Sequence, residues 1–119
     1  ISGRKSRWRL PRHARYAVGE IVLKPWHMNI LGIVHGGVLY SLADTVGGTA
    51  AMTGRDYAVP TVDGTIHYLK AGKNTSKIIA RAQEIQNGYA FSVCECKIYD
   101  DKETLLASAT MTYYHLRKR

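Results

Sequence analysis

The sequence predicts an α+β domain: an antiparallel sheet wrapped around one long central helix. Three observations predict it. Residues 38–52, VLYSLADTVGGTAAM, form one continuous apolar or small-residue segment, longer than a typical strand and so read as helix. After it come β-rich segments at 58–70, 77–87, 89–99 and 104–116, parted by short polar turns. Before it lies one more β-rich run, RYAVGEIVLKP at 15–25, closed by Pro25.

Taken in order, the first strand is followed by a loop, HMNILGIV at 27–34, carrying Asn29 and Gly32. Gly36 and Gly37 punctuate the approach to the helix. The helix ends in TGRD at 53–56, where Gly54 suits a left-handed cap. AGKNTS at 71–76 and DDKE at 100–103 are turns. KIIARAQEIQN at 77–87 has mixed periodicity; helix competes there, and we favour strand. Consecutive strands on tight connections predict antiparallel pairing. A helix apolar on all sides must be covered on all sides, and a curved sheet would do so.

The chain has 119 residues with 45% hydrophobic and 22% charged side chains, which fits a single domain spanning 1–119. Its core is modest, so an oligomer that buries more apolar area would be unsurprising. No apolar run reaches the roughly 18 residues that span a bilayer. The N-terminus has no apolar block of a secretory signal behind its charges. The chain opens on Ile1, which suggests trimming or processing. Cys94 and Cys96 lie two apart on a strand, point the same way and are poorly placed to bridge. Two thiols are too few for a metal site, and free thiols fit the cytoplasm. His13, His27, His67 and His115 show no ligand spacing, so no metal is expected.

Net charge is +8. Much of it sits in a basic N-terminal extension, residues 1–12, with Arg15 just beyond and Arg117, Lys118 and Arg119 at the end. Such balance favours an anionic partner. Terminal charge runs are usually solvated tails, and no helix-turn-helix fits before residue 15, so nucleic acid is set aside.

One residue breaks the pattern. Asp44 sits in the oily helix, eight residues beyond Gly36, too deep to be a cap. A buried ionised carboxylate is costly unless paired or hydrogen-bonded. Gly47 and Gly48 inside the helix each cost about 1 kcal/mol relative to Ala, which implies close approach by the sheet or by a second copy. Gly36 and Gly37 stand where a helix start offers free N–H groups and a positive dipole end. A carbonyl docked there would be polarised, and Asp44 would supply a base or nucleophile. Together these describe acyl transfer or hydrolysis. Trp8 and Trp26 are read as core. Tyr113 and Tyr114 are read as strand residues with one face buried, and Asp63 as sharing a strand face with Thr61.

The stretch NILGIVHGGVLYSLADTVGGTA, Asn29 to Ala50, resembles the hotdog-fold acyl-CoA thioesterases, in particular the PaaI-type, phenylacetate-degradation branch. The similarity covers nearly the whole chain and is specific for fold and broad activity, less so for substrate. It implies an acyl-CoA thioesterase that needs no cofactor, the CoA thioester being its substrate. Asp44 then matches the catalytic carboxylate, as nucleophile or as base for water. The Gly36 N–H matches the donor to the thioester carbonyl. Asn29 matches a side chain holding the water or the carbonyl, and His35 one supporting the loop or the sulfur. Thr61 stands where relatives use a serine to position water. The resemblance places such sites at the interface of a homodimer or homotetramer, Asp44 reaching across from the other subunit. Nucleotide contacts fall loosely on Gly37, Lys70, Lys73, Asn74, Asn87 and Gly88. The alternatives are a non-catalytic acyl-CoA-binding module, a regulator's ligand domain, and a dehydratase of the same fold.

Overall fold

The computed structural model describes residues 15–117. The basic 1–12 extension, Trp8, His13, Lys118 and Arg119 lie outside the described residues. The elements are β1 (Tyr16–Val22), α1 (Gly36–Met52), β2 (Thr61–Tyr68), β3 (Lys77–Asn87), β4 (Phe91–Asp100) and β5 (Leu105–Tyr114). A short 3-10 turn, Pro25–His27, leads into the loop before α1. The five strands form one antiparallel sheet in the order β1-β3-β4-β5-β2.

Strand alternation builds the core. On β3, Ile78, Ala80, Ala82 and Glu84 point inward; on β4, Ser92, Cys94, Cys96, Ile98 and Asp100 do. Their neighbours face the other side, as a period of two requires. The small alanines and cysteines let α1 lie close to the sheet. It presents Leu39, Leu42, Ala43, Val46, Gly47, Ala50 and Ala51 to that surface, the spacing of one helical face. Full burial of a Leu or Ile contributes roughly 1.5–3 kcal/mol. Gly54, at φ +75°, ends the helix in the left-handed region. Arg15 Nε donates to the Thr53 carbonyl at 2.6 Å, and the Arg55 guanidinium to that of Ala51. Cations at a helix C-terminus also suit its dipole.

The sheet is antiparallel as expected, and 77–87 is a strand. Five expectations need correction. First, β2 and β3 follow each other in sequence but are not neighbours: β2 pairs with β5 and β3 with β1. Residues 69–76 are therefore a crossing connection, which local turn signals cannot distinguish from a hairpin. Second, α1 is not covered all round. Ser41, Thr45, Thr49 and Met52 form an exposed stripe at i, i+4, i+8 and i+11. Hydroxyls make this stripe tolerable: Thr49 donates to the Thr45 carbonyl at 2.8 Å and Thr53 to that of Thr49 at 3.0 Å. Third, Trp26 is 73% exposed and takes no part in the core. Fourth, the register of β2 against β5 shifts between Thr61 and Asp63. Thr61 pairs with buried Tyr113, Asp63 with Thr112 on the opposite face. Cross-strand partners share a face, so the bulge turns Asp63 away from Thr61. Fifth, the helix begins two residues before Val38, at Gly36.

Candidate active site

Asp44 emerges where the exposed stripe of α1 meets the first residue of β2. Thr61 Oγ1 donates to Asp44 Oδ1 at 2.7 Å. Tyr113, near the end of β5, donates its hydroxyl to the Asp44 carbonyl at 2.9 Å and lies 3.4 Å from Oδ1. Oδ2 receives no hydrogen bond among the described residues. One carboxylate oxygen is thus tethered and the other is left for water or substrate. Burial, then the charge of Asp44, push the Tyr113 hydroxyl well above the ordinary phenol range. It therefore stays a donor.

This arrangement explains the helix glycines. A Cβ on Gly47 would lie 2.5 Å from the Tyr113 hydroxyl oxygen, a clash; one on Gly48 would lie 3.5 Å from the ring, an ordinary contact. Within the chain, the close approach inferred from the sequence is made by a tyrosine of the sheet. Tyr113 was legible only as a half-buried strand residue. The unexplained Gly47 is the signal that could have paired it with the helix.

Asp44, Thr61 and Tyr113 line a cleft of about 920 Å³. It runs along the exposed stripe of α1 and is walled by apolar groups including Val59, Pro60 and Leu116. A second, smaller cleft of about 330 Å³ is lined by Asn29, Gly36, Tyr68 and Lys70 among others. The Val38 and Leu39 N–H groups return to the His35 carbonyl at 3.0 and 3.3 Å. The Gly36 and Gly37 N–H groups precede these first bonds of the helix. Tyr68 donates to the Gly36 carbonyl at 2.9 Å, and a Cβ on Gly36 would sit 3.0 Å from the Tyr68 ring. Around Gly37 the space is open.

Asn29 shapes this second cleft from within its loop. Its Oδ1 accepts from Leu31 N at 2.9 Å and Ile33 N at 3.1 Å, and its N–H donates to the Ile33 carbonyl at 2.8 Å. The side-chain oxygen is thereby committed to the turn that Gly32, at φ +74°, completes. His35 ties the loop through its backbone, N–H to the His27 carbonyl at 2.9 Å. Its side chain is exposed.

The nucleotide-contact candidates divide. Lys70 borders the cleft of Gly36. Lys73 and Asn74 sit on the following turn, where the Asn74 carbonyl accepts from Lys102 Nζ at 2.8 Å. Asn87 ends β3 and Gly88 follows it. Asn87 accepts from Arg55 at 2.5 Å, and Gly88 closes the β3–β4 turn onto Phe91. A strand of 11 residues separates the two groups by about 33 Å, so within one chain they do not converge.

Behind the large cleft lies a buried polar cluster that no local sequence signal announces. Glu84 Oε1 pairs with Arg15 and Oε2 with Arg55, both at 3.1 Å, and Ser92 Oγ donates to Oε2 at 2.6 Å. Ser92 also meets His115 Nε2 at 2.6 Å. These residues fix the floor under Arg55 and join β3, β4 and β5. Among the described residues no cluster of His, Cys, Asp or Glu gathers as a metal site. No helix among them is long and apolar enough to cross a membrane.

Comparison with known proteins fits this geometry. Residues 31–107 match the Thioesterase superfamily. An esterase-assigned protein of Archaeoglobus fulgidus is 29% identical over 103 residues, covering 87% of this chain. The chain spans 66% of that protein's length. A Bacillus halodurans protein solved with CoA superposes with a TM-score of 0.80 at 29% identity, covering 86% of this chain and 68% of its own. The PaaI protein of the Escherichia coli phenylacetic acid degradation operon does so with a TM-score of 0.80 at 24% identity, covering 86% and 73%. The chain belongs to the thioesterase superfamily, a family of hydrolases, and carries its hotdog fold.

Proposed function

We propose that this chain hydrolyses acyl-CoA thioesters to free acid and CoA, at sites shared between two copies. One observation carries this reading: the Asp44 carboxylate is tethered through one oxygen by Thr61 and Tyr113 at the mouth of a large, mainly apolar cleft. Its free oxygen takes a proton from water. The hydroxide so formed attacks the thioester carbonyl carbon, and the carbonyl oxygen, now an oxyanion, is held by the Gly36 N–H. Collapse breaks the C–S bond, and the leaving CoA sulfur recovers the proton from Asp44. Direct attack by Asp44 would instead pass through an acyl-aspartyl anhydride that water then opens.

Distance argues for two copies. Gly36 and Asp44 are eight residues apart on α1, about 12 Å along the axis. A carbonyl gripped at one cannot lie within the 3–3.5 Å that attack by the other requires. A two-fold partner with its helix reversed brings each Asp44 to the other's Gly36 and creates two equal sites. The free edge of β2, with Val62, Tyr68 and Leu69 all more than half exposed, offers the surface. An uncovered strand edge bearing apolar side chains invites pairing. The relative solved with CoA and the buried free thiols fit a CoA ester handled in the cytoplasm.

The test is thiol release from a panel of acyl-CoAs in ¹⁸O-labelled water under single turnover. The reading expects thiol release. Label in Asp44 indicates attack by the carboxylate and opening of the anhydride at Asp44. Label in the product acid alone is shared by direct water attack and by opening at the acyl carbon, and hydroxylamine trapping of an acyl-aspartyl intermediate separates those two. Tight binding of acyl-CoA with no thiol released from any member would replace hydrolysis with the binding-module reading.

A further inference from the structure

The cleft that opens at Asp44 ends on a cation. It follows the exposed stripe of α1 from Asp44 to Met52, eight residues and about 12 Å, and its far wall carries Tyr57 and Arg117. The Arg117 guanidinium lies over two rings, 4.0 Å from the centre of Tyr89 and 5.2 Å from that of Tyr57, and donates to the Tyr89 carbonyl. Stacking occupies the flat faces of a guanidinium and leaves N–H groups at its rim for a planar acceptor.

Its electrostatic situation sets it apart. The other described arginines, Arg15, Arg55 and Arg81, each pair with a glutamate. Arg117 has no acidic partner among the described residues. The acid nearest in the cleft's lining sequence, Asp56, is exposed and makes no ion pair with it. A pre-positioned, uncompensated guanidinium at the end of a mainly apolar cleft is the chemistry that recognises a carboxylate.

We propose, resting on the thioesterase reading, that Arg117 is a specificity determinant selecting acyl groups that carry a terminal carboxylate. The thioester lies at Asp44, the methylene arm runs along Thr45, Gly48 and Thr49, and the terminal carboxylate meets the rim of Arg117. Tyr57 and Tyr89 hold the guanidinium in place, so little side-chain freedom is lost on binding.

The experiment compares octanoyl-CoA with its terminal-carboxyl counterpart, octanedioyl-CoA, on the full chain. The proposal expects kcat/KM to favour octanedioyl-CoA by about tenfold, equivalent to about 1.4 kcal/mol, with the difference in KM and weakened by salt. In Arg117→Gln the ratio falls to about one; in Arg117→Lys, which keeps the charge but loses the planar fork, part of it survives. If Arg117→Gln fails to fold, Arg117→Lys and the salt dependence of the unaltered protein still decide. A ratio near one in the unaltered protein, or one retained in Arg117→Gln, overturns the proposal and leaves the thioesterase reading standing. Thiol release from neither substrate, nor from shorter acyl-CoAs, removes the thioesterase reading and this inference with it.

Discussion

The two clefts flanking α1 are built from different materials. The one at the helix start is made of backbone: the Gly36 and Gly37 N–H groups, ahead of the first helical bonds, and a loop tied shut by Asn29. The one along the helix is made of side chains: Asp44, Thr61 and Tyr113 above an apolar wall. The first can polarise a carbonyl but holds no carboxylate base; the second holds a base but no cluster of free N–H groups. In the proposed function each is half of a hydrolytic site, and the helix that positions both holds them about two turns apart. The difference teaches that one rigid helix can act as a spacer between two kinds of polar group, and on the proposed reading a second copy brings them together.

The comparison is broken most severely on the side-chain half. Asp44→Asn keeps the shape and removes the base, so turnover should fall by about 10²–10⁴-fold with acyl-CoA binding retained. Steady-state thiol release and equilibrium binding together read both. Unchanged turnover would mean that another group drives attack.

On the backbone half, Gly36→Pro deletes the N–H at the first helical position, where helices accept proline. Its Cβ must push the Tyr68 ring aside, so Gly36→Ala, which adds the same contact but keeps the N–H, is the control. His35 already has the extended conformation, φ −55° and ψ 135°, that a following proline demands. Turnover should drop by about 10²–10³-fold, the usual cost of losing one oxyanion donor. Circular dichroism should show the helix intact.

Adjacent glycines sharpen the account further. Gly47→Ala drives a methyl into the Tyr113 hydroxyl and should destabilise by about 1–3 kcal/mol. It should also lower turnover by displacing Tyr113 from Asp44. Gly48→Ala meets the same ring at an ordinary distance and should be neutral or stabilising by up to about 1 kcal/mol. Urea denaturation of the pair separates them, and equal effects would contradict the packing described.

The smallest effect lies in the sealed interior between the clefts. Burial pushes Cys94 and Cys96 up to about 12 from an ordinary 9.0. A raised folded-state pKa keeps the proton on, so this stability is fully present below the unfolded thiol's value and is lost as pH rises beyond it. Tyr113, raised for the same first reason, adds to the loss at still higher pH. The urea midpoint should hold near pH 8 and decline by about pH 10. Rapid modification of both thiols in the folded protein near pH 8 would contradict their burial.

How legible was this in sequence? The helix, the strands and Asp44 were, because each is a local signal: a long apolar run, alternation between turns, a single acid where acids are expensive. Gly36 was legible as a glycine at a helix start, resemblance to the family supplied Thr61 on the strand after the helix, and the geometry brings Thr61 to Asp44. What escaped depends on contacts between distant residues. Tyr113 reaches Asp44 across 69 positions. The Glu84 cluster gathers Arg15, Arg55, Ser92 and His115 from separate elements. Strand order escaped because no turn signal says which edge β2 joins. The face of Asp63 escaped because one bulge reverses a period-two argument.

Mixing two inactive proteins reveals whether each site takes Asp44 from one copy and Gly36 from the other. Asp44→Asn and Gly36→Pro, co-expressed with distinguishable tags and purified as heterodimers, restore one whole site and leave one doubly broken. In an unsorted equal mixture, activity should return to about a quarter of the unaltered protein, since half the dimers carry one good site of two. Isolated heterodimers that stay as inactive as either parent would contradict the shared site.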